Sequence, residues 1–196
     1  DYQNNLGIQP NPNIVINGGN FSANPAVVTS YGGVVLAEGK VAAQGADGRW
    51  TLVDGVMAEA GLKAAFEQGG NIVLGADITV SETVVLAEGK TVVLNLNGKT
   101  LAAVDKNTIK NNGGNLTLKN GTVTRTGDVV GYSVNNASGE INVVDATVER
   151  GLYTSGSKMT ATNANISHEQ SSRHAIYAWD CEVTINSGIF HNDNAG

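Results

Sequence analysis

Leu94-Asn95-Leu96-Asn97-Gly98-Lys99-Thr100-Leu101 is the stretch of sequence that decides the fold. Two apolar residues separated by one position are followed by Asn-Gly and then by a further apolar residue. Apolar residues at every second position are typical of a short strand with one buried face. Asn and Gly accept the left-handed backbone conformation that tight turns use. The stretch therefore predicts a strand, a turn and a second strand whose apolar side chains point the same way.

The same pattern recurs four more times along the chain. The first apolar residues of the five copies are Leu94, Leu116, Ile141, Met159 and Val183, which predicts steps of 22, 25, 18 and 24 residues. One such coil cannot bury its own apolar face, whereas stacked coils bury a continuous core. The residues predicted to point into that core are Leu94, Leu96, Leu116, Leu118, Ile141, Val143, Met159, Val183 and Ile185.

The repeat predicts an all-β fold, a parallel β-helix. A leucine-rich repeat would need a denser Leu pattern, and an immunoglobulin-like sandwich would not place Asn or Asp so often at one register. The composition agrees, since charged residues are 15% of the chain against about 25% in ordinary globular domains. The 25 glycines fit a β-structure with many turns.

One short helix is predicted before the coils. Residues 56–68 carry Ala58, Leu62, Ala65 and Phe66 at helical spacing, and Gly69-Gly70 follows as a C-terminal stop. We expect this helix to cap the N-terminal end of the coil stack through Leu62 and Phe66, because uncovered strand edges invite association.

The first 53 residues contain a further coil pattern. Ile14, Ile16 and Phe21 occupy its apolar positions, and residues 41–53 predict a hairpin across Asp47-Gly48. The string Val-Val-Leu-Ala-Glu-Gly-Lys occurs at 34–40 and again at 84–90. The same turn-forming sequence thus appears in both parts of the chain.

Residues 62–101, from Leu-Lys-Ala-Ala-Phe to Leu-Asn-Leu-Asn-Gly-Lys-Thr-Leu, resemble the opening of right-handed, pectin-lyase-like β-helices. Such helices occur in surface proteins of gut bacteria and in phage fibres. Residues 13–53 resemble the last coil and closing hairpin of an upstream helix of this kind. The resemblance implies a terminal coil and hairpin at 1–53, a capping helix at 54–70, and a right-handed β-helix at 71–196 that continues past the chain end. It also implies an extracellular, cell-surface or virion location.

Several classes of protein and site are disfavoured by the sequence. The net charge is −6 and no stretch is rich in Lys or Arg, which argues against nucleic-acid partners. No apolar run approaches the roughly 18 residues of a membrane span. A single cysteine, Cys181, excludes an internal disulfide and a Cys-based zinc site. The sequence predicts no cofactor.

The densest group of polar and aromatic residues lies between positions 168 and 191. It predicts a shallow sugar-binding face, where aromatic rings offer apolar surfaces and polar side chains offer hydrogen bonds. The alternative is a solvated turn with incidental histidines. The candidate ligand-binding residues are His168, Glu169, Arg173, His174, Tyr177, Trp179 and His191.

His168 and His191 each lie two residues after an isoleucine, so we expect them to lie close together on neighbouring coils. A third metal ligand is not evident, so no metal site is predicted. Asn97, Asn120, Asp145, Asn163 and Asn186 are predicted to hydrogen-bond along the stack as a ladder at the turn.

Two functions from different classes remain open on the sequence. The first is a structural and adhesive β-helix segment of a larger surface or phage-fibre protein that contacts glycans or a host surface. Its exposed coil ends would meet the continuing chain or a second copy, through residues 180–196. The alternative is a polysaccharide lyase or glycoside hydrolase, for which Glu169, Arg173 and Asp180 are the clustered candidates. The stacked Asp groups and Arg motifs of the enzymes that it resembles are missing, which favours a role without catalysis.

Overall fold

The computed structural model describes residues 14–27, 34–170 and 173–192. The chain divides into two compact units, residues 1–55 and 56–196. The strands of the first unit are β1 (Ile14–Ile16), β2 (Asn20–Phe21), β3 (Val34–Leu36), β4 (Lys40–Gln44) and β5 (Trp50–Asp54). Strands β1 and β3 pair in parallel, while β2, β5 and β4 form an antiparallel sheet. The β4–β5 pairing confirms the hairpin predicted across Asp47-Gly48.

The repeated string Val-Val-Leu-Ala-Glu-Gly-Lys adopts one conformation at both of its sites. Its Val-Val-Leu part is a strand each time, and the glycines that follow have φ angles of 72° at Gly39 and 73° at Gly89. The lysine N–H donates to the alanine carbonyl three residues earlier, at 3.0 Å for Lys40 and 3.3 Å for Lys90. Because the two sites lie in different units, the string itself specifies the strand and its turn.

Among the described residues of the second unit, the first element is helix α1 (Glu59–Gln68) and every later element is a strand. These strands are β6 (Gly70–Val73), β7 (Ile78–Val80), β8 (Val84–Leu86), β9 (Thr91–Asn95), β10 (Thr100–Val104), β11 (Ile109–Thr126), β12 (Val134–Val148), β13 (Leu152–Ser155), β14 (Ser157–Thr162), β15 (Ala164–His168), β16 (Ile176–Trp179), β17 (Glu182–Ile185) and β18 (Gly188–Asn192).

All pairings within the second unit are parallel, and they form three faces of a solenoid of about seven turns. The first face stacks β6, β9, β14 and β17, and the second stacks β7, β10, β15 and β18. The third face stacks β8, β13 and β16. Strands β11 and β12 are long enough to bend through all three faces. The predicted all-β parallel β-helix with one short helix is therefore confirmed.

The core runs along the inside of the solenoid. Paired inward positions place Leu94, Leu118, Val143 and Ala161 in one column, each fully buried. Of the nine residues predicted to point inward, seven are buried. The other two, Val183 and Ile185, also occupy inward positions, since they pair in register with the buried Met159 and Ala161, but Val183 is only half-buried and Ile185 is 52% exposed. Both lie on β17, which pairs on one side only among the described residues.

The first predicted step of the repeat, 22 residues from Leu94 to Leu116, was wrong. Leu116 pairs with Val92, and Leu94 pairs with Leu118, so the step between these coils is 24 residues rather than 22. The cause lies in the turn. Four residues, 96–99, separate the two paired strands of the earlier coil, whereas only Asn120-Gly121 does so in the next. The steps between Leu116, Ile141, Met159 and Val183 are as predicted.

Helix α1 begins at Glu59, three residues later than predicted. Val56 cannot join it because its N–H donates to Val73 and its carbonyl accepts from Gly75, which makes a parallel bridge to the first coil. Leu62 and Phe66 are buried against the first coil, as predicted for a cap. No helix among the described residues has the length and apolar character needed to span a membrane.

Candidate functional site

Two tyrosines stack on the outside of the third face. Tyr153 on β13 and Tyr177 on β16 are paired in register, and their rings lie 5.6 Å apart and 9° from parallel. The residues on either side of Tyr153 in β13, Leu152 and Thr154, are buried. Because side chains alternate along a strand, Tyr153 must point outward. The regular spacing of parallel strands thus produces a flat aromatic surface.

Tyr132, just before β12, extends this surface. Its ring centroid lies 6.0 Å from that of Tyr153 and 6.4 Å from that of Tyr177. The guanidinium of Arg173 lies 5.9 Å from the centre of the Tyr132 ring. Together with Trp179 these four residues line a concave site of about 380 Å³, which we call the tyrosine cleft. Its volume lies at the lower end of the roughly 300–1,000 Å³ typical of small-molecule sites.

The backbone of Arg173 is held by the next coil. Asn192 Nδ2 on β18 donates to the carbonyl of Gln170, at 3.1 Å, and to the carbonyl of Arg173. One side chain therefore holds the backbone carbonyls of both Gln170 and Arg173. Asn192 thus positions Arg173 beside the Tyr132 ring.

Two polar atoms of the cleft residues lack partners. Tyr132 Oη and Arg173 Nε are buried, and neither makes a hydrogen bond to any residue that the structure describes. Buried polar atoms are nearly always hydrogen-bonded, and exceptions require an explanation. One atom of each of Arg125, Asn135, Asn165 and Gln170 is in the same state, so the two cleft atoms are among six such atoms in the described residues.

His168 is fully buried, although the sequence suggested a solvent-facing position. It ends β15 at an inward position, with its ring edge-on to Tyr132 at 5.4 Å. The Gln170 N–H donates to Nδ1 at 3.1 Å, which leaves the proton on Nε2 to donate to the Gly131 carbonyl at 3.2 Å. Burial is the main cause of a lowered His168 pKa. His168 therefore packs against Tyr132 on the inner side of the cleft as a neutral ring.

The three candidate catalytic residues lie in three different places. Arg173 lines the tyrosine cleft, whereas Asp180 lines a separate groove with Lys158. Glu169 Oε1 lies 2.5 Å from Arg150 Nη2, and both residues line a third depression. A general acid and base must both reach the scissile bond. The geometry does not bring these groups to one point.

His174 and His191 are both exposed. The His174 ring lies 5.7 Å from Tyr177, at the edge of the cleft. His191 pairs with Ser167, while His168 pairs with Asn192. His168 faces the core and His191 faces outward, so the expectation that they lie together was wrong. Among the described residues, no three His, Cys, Asp or Glu side chains are grouped as metal ligands would be.

Sequence reasoning missed Tyr132, Tyr153 and Asn192. Tyr153 could have been found, because the 24-residue step from Met159 to Val183 also relates Tyr153 to Tyr177. Tyr132 gives no such signal, since it precedes β12 and is not paired with either tyrosine. Asn192 sits in an ordinary Asn-rich turn sequence.

The ladder predicted at the turns is present in part. Asn97, Asn120, Asp145 and Asn163 all have positive φ, whereas Asn186 does not. Asn163 Nδ2 donates to Asp145 Oδ1 at 2.7 Å, which joins neighbouring coils. The other amides bond to groups outside the predicted set. The ladder residues therefore have structural partners within the solenoid.

Comparison with known proteins finds no match: no family model fits the sequence, and no curated protein or solved structure is significantly similar to it.

Proposed function

We propose that this chain is a structural and adhesive β-helix segment of a larger extracellular surface or phage-fibre protein, and that it binds a glycan in the tyrosine cleft. The observation that carries the proposal is the cleft itself. Its lining combines four aromatic rings with one guanidinium. Sugar-binding sites use aromatic faces for the apolar side of the ring and a few polar groups for its hydroxyls.

The exposure of the aromatic residues supports this role. Trp179 is 64% exposed and Tyr177 is 37% exposed, although both are large rings on a regular strand. Their outward positions are set by the alternation of β16, so the rings remain accessible without any rearrangement of the coil. A ligand that covers them would gain apolar contact while keeping its hydroxyls toward water.

Arg173 supplies the polar side of the cleft. Its guanidinium carries several donors in a fixed plane, and the backbone carbonyl of Arg173 accepts a hydrogen bond from Asn192. A vicinal pair of sugar hydroxyls, or the carboxylate of an acidic sugar, presents acceptors to such a group. We therefore expect the ligand to be a saccharide end or a short exposed stretch of glycan.

A glycan array probed with the whole chain tests the proposal. The parent protein is expected to bind a subset of glycans, and Trp179→Ala is expected to lower that binding about fivefold or more, since a stacked ring contributes about 1 kcal/mol or more. Trp179→Phe keeps an aromatic face and is the matched variant that should retain most of the binding.

Asp180→Asn is the control for a charge change next to the cleft, because Asp180 lines a different groove. It should bind like the parent. Binding that is unchanged in Trp179→Ala, or absent for every glycan on the array, would contradict the proposal. Release of shorter saccharides on incubation would instead favour the enzymatic alternative.

A further inference from the structure

One buried histidine is hydrogen-bonded to the backbone on both sides of the tyrosine cleft. The His168 Nε2–H donates to the carbonyl of Gly131 at 3.2 Å, and Gly131 directly precedes Tyr132. At the other ring nitrogen, Nδ1 accepts from the Gln170 N–H at 3.1 Å. A backbone N–H can only donate, so Nδ1 must be the unprotonated nitrogen. The ring therefore connects the backbone beside Tyr132 with the backbone that leads to Arg173.

The position of Gln170 sets the position of Arg173. The Arg173 N–H donates to the Gln170 carbonyl at 3.1 Å, so the two residues are joined directly. The same carbonyl accepts from Asn192 Nδ2, also at 3.1 Å. Gln170 is thus held through its N–H by His168 and through its carbonyl by Asn192. A shift of Gln170 would move the Arg173 guanidinium from its place 5.9 Å from the centre of the Tyr132 ring.

The His168 ring is enclosed by its neighbours. Its exposed fraction is 0%, and its centroid lies 5.4 Å from that of Tyr132 in an edge-on contact. The backbone of Gly151 lies against the ring, since a Cβ atom on this glycine would lie 2.9 Å from His168 Cδ2. The ring is therefore held in one orientation by packing as well as by its two hydrogen bonds.

Most of the charge near the ring is positive. The charged groups that face the ring or its hydrogen-bonded backbone are Arg125, Arg150, Glu169 and Arg173. Burial lowers the His168 pKa most, and the charges of Arg150 and Arg173 lower it further. Glu169 opposes them, but its Oε1 lies 2.5 Å from Arg150 Nη2. These surroundings favour a neutral ring at neutral pH.

Addition of a proton changes what Nδ1 can do. Both nitrogens of an imidazolium are donors, so Nδ1–H and the Gln170 N–H would face each other and their hydrogen bond would be lost. The bond from Nε2 to Gly131 would remain. The new charge would also repel Arg173. Both effects disturb the side of the cleft that carries Arg173.

We propose that His168 is a positioning residue of the tyrosine cleft, and that the cleft loses affinity for its ligand when this ring takes up a proton. Acid would break the bond to Gln170 and shift Arg173 away from Tyr132. The ligand part of this inference rests on the proposed glycan binding, whereas the geometric part does not.

NMR spectroscopy of the whole, isotope-labelled chain tests the geometric part. At neutral pH the His168 ring should carry its proton on Nε2. As the pH is lowered from about 7.5 to about 4.5, the Gln170 amide and the Tyr132 ring signals should shift with the same midpoint as the His168 ring nitrogens. The Leu118 amide, in the core of the stack, is the internal control and should not follow that midpoint.

Three results of this titration would each overturn the proposal. They are a neutral ring with its proton on Nδ1, a ring that stays neutral until the whole chain unfolds, and a Gln170 signal that does not follow the His168 midpoint. These measurements need only the parent chain, so they decide the matter even if a His168 variant fails to fold.

The glycan array, repeated over the same pH range, tests the ligand part. Binding by the parent should fall about fivefold or more as His168 is protonated, the equivalent of one hydrogen bond. His168→Asn keeps an oxygen acceptor near the Nδ1 position and cannot titrate, so its binding should stay constant across that midpoint. His174→Gln and His191→Gln remove the two other histidines of the chain and should keep the parental pH profile.

The outcomes separate this inference from the proposed function. A parental pH profile in His168→Asn, or a flat profile in His174→Gln, would overturn the role of His168. Glycan binding by the parent that ignores the His168 midpoint would do the same and would leave the proposed function standing. If no glycan binds at any pH, the proposed function fails, and the NMR signals alone decide whether His168 positions Arg173.

Discussion

His168 shows how one buried residue links the cleft to pH. Loss of water around the ring is the largest cause of its lowered pKa, and Arg150 and Arg173 lower it further. The hydrogen bond to Gly131 and the charge of Glu169 act in the opposite direction. The folded state therefore binds a proton less readily than the unfolded state, whose histidine has a pKa of 6.5. Below that pH the unfolded state takes up more protons and the free energy of unfolding falls.

We expect the melting temperature of the parent to fall as the pH is lowered from about 7 to about 5. His168→Gln removes the titrating ring and should flatten this part of the profile, even if the variant is less stable at neutral pH. Circular dichroism melts at a series of pH values measure the slope. His174→Gln, at an exposed position, is the control and should keep the parental slope. A His168→Gln slope equal to that of the parent would contradict this account.

Helix α1 is held to the first coil by its first residue as well as by its apolar face. The Glu59 carboxylate accepts from Ser81 N and Oγ, both at 3.0 Å, and from Glu82 N at 3.3 Å. Lys63 Nζ lies 2.6 Å from Glu59 Oε1 and is the largest cause of the Glu59 pKa being lowered to about 2. Ala58 offers no side-chain cap, so this carboxylate also complements the helix N-terminus.

Glu59→Gln should lower the melting temperature at neutral pH, since the amide keeps the shape but loses the ion pair. A carboxylate with a lowered pKa stabilises the fold above its unfolded value of 4.5 and stops doing so as the pH falls toward about 2. The difference between parent and variant should therefore shrink across that range. Glu67→Gln, exposed on the same helix, should match the parent. A difference that stays constant down to about pH 2 would argue against the carboxylate contacts.

Phe66→Ala tests the cap of the solenoid directly. Phe66 is 1% exposed between α1 and the first coil, and its truncation leaves a cavity. We expect a loss of about 3 kcal/mol in the free energy of unfolding, measured by urea denaturation. Glu67→Ala, one residue further along α1 and exposed, should change it by no more than about 0.5 kcal/mol. Similar values for the two variants would show that the helix is not part of the cooperative fold.

At the scale of the whole molecule, stability depends on unbroken apolar columns. Leu118 lies in the middle of one column, between Leu94 and Val143, and is fully buried. In a stack each coil contacts only its neighbours, so a fault in the middle weakens both halves of the solenoid. An ionised side chain at this position would have no partner in the core.

Leu118→Asp is expected to cost at least about 3 kcal/mol of unfolding free energy. Val85→Asp introduces the same charge at an outward position of another strand and should be close to neutral. Thermal melting and urea denaturation of both proteins measure the difference. If Leu118→Asp melts with the parent, the inward register of β11 is wrong.

The sequence by itself determined the parallel β-helix, the capping helix and the hairpin, because each depends on local periodicity and turn chemistry. Leu116 and Leu118 alternate with polar residues, and Gly39 and Gly89 end the same string in the same turn. Interactions between residues close in sequence act wherever the segment lies in the fold. The structures that depend on them can therefore be predicted from a single stretch of sequence.

Only the tertiary structure decided the register of the coil at Leu94, the burial of His168 and the tyrosine cleft. The register depends on turn length, since the longer turn at 96–99 shifts Leu94 onto Leu118. His168 is buried because the position at the end of β15 points inward. The cleft gathers Tyr132, Tyr153 and Tyr177 from three coils. The distances between side chains on different coils depend on how the coils stack. The residues next to each side chain in the sequence do not determine those distances.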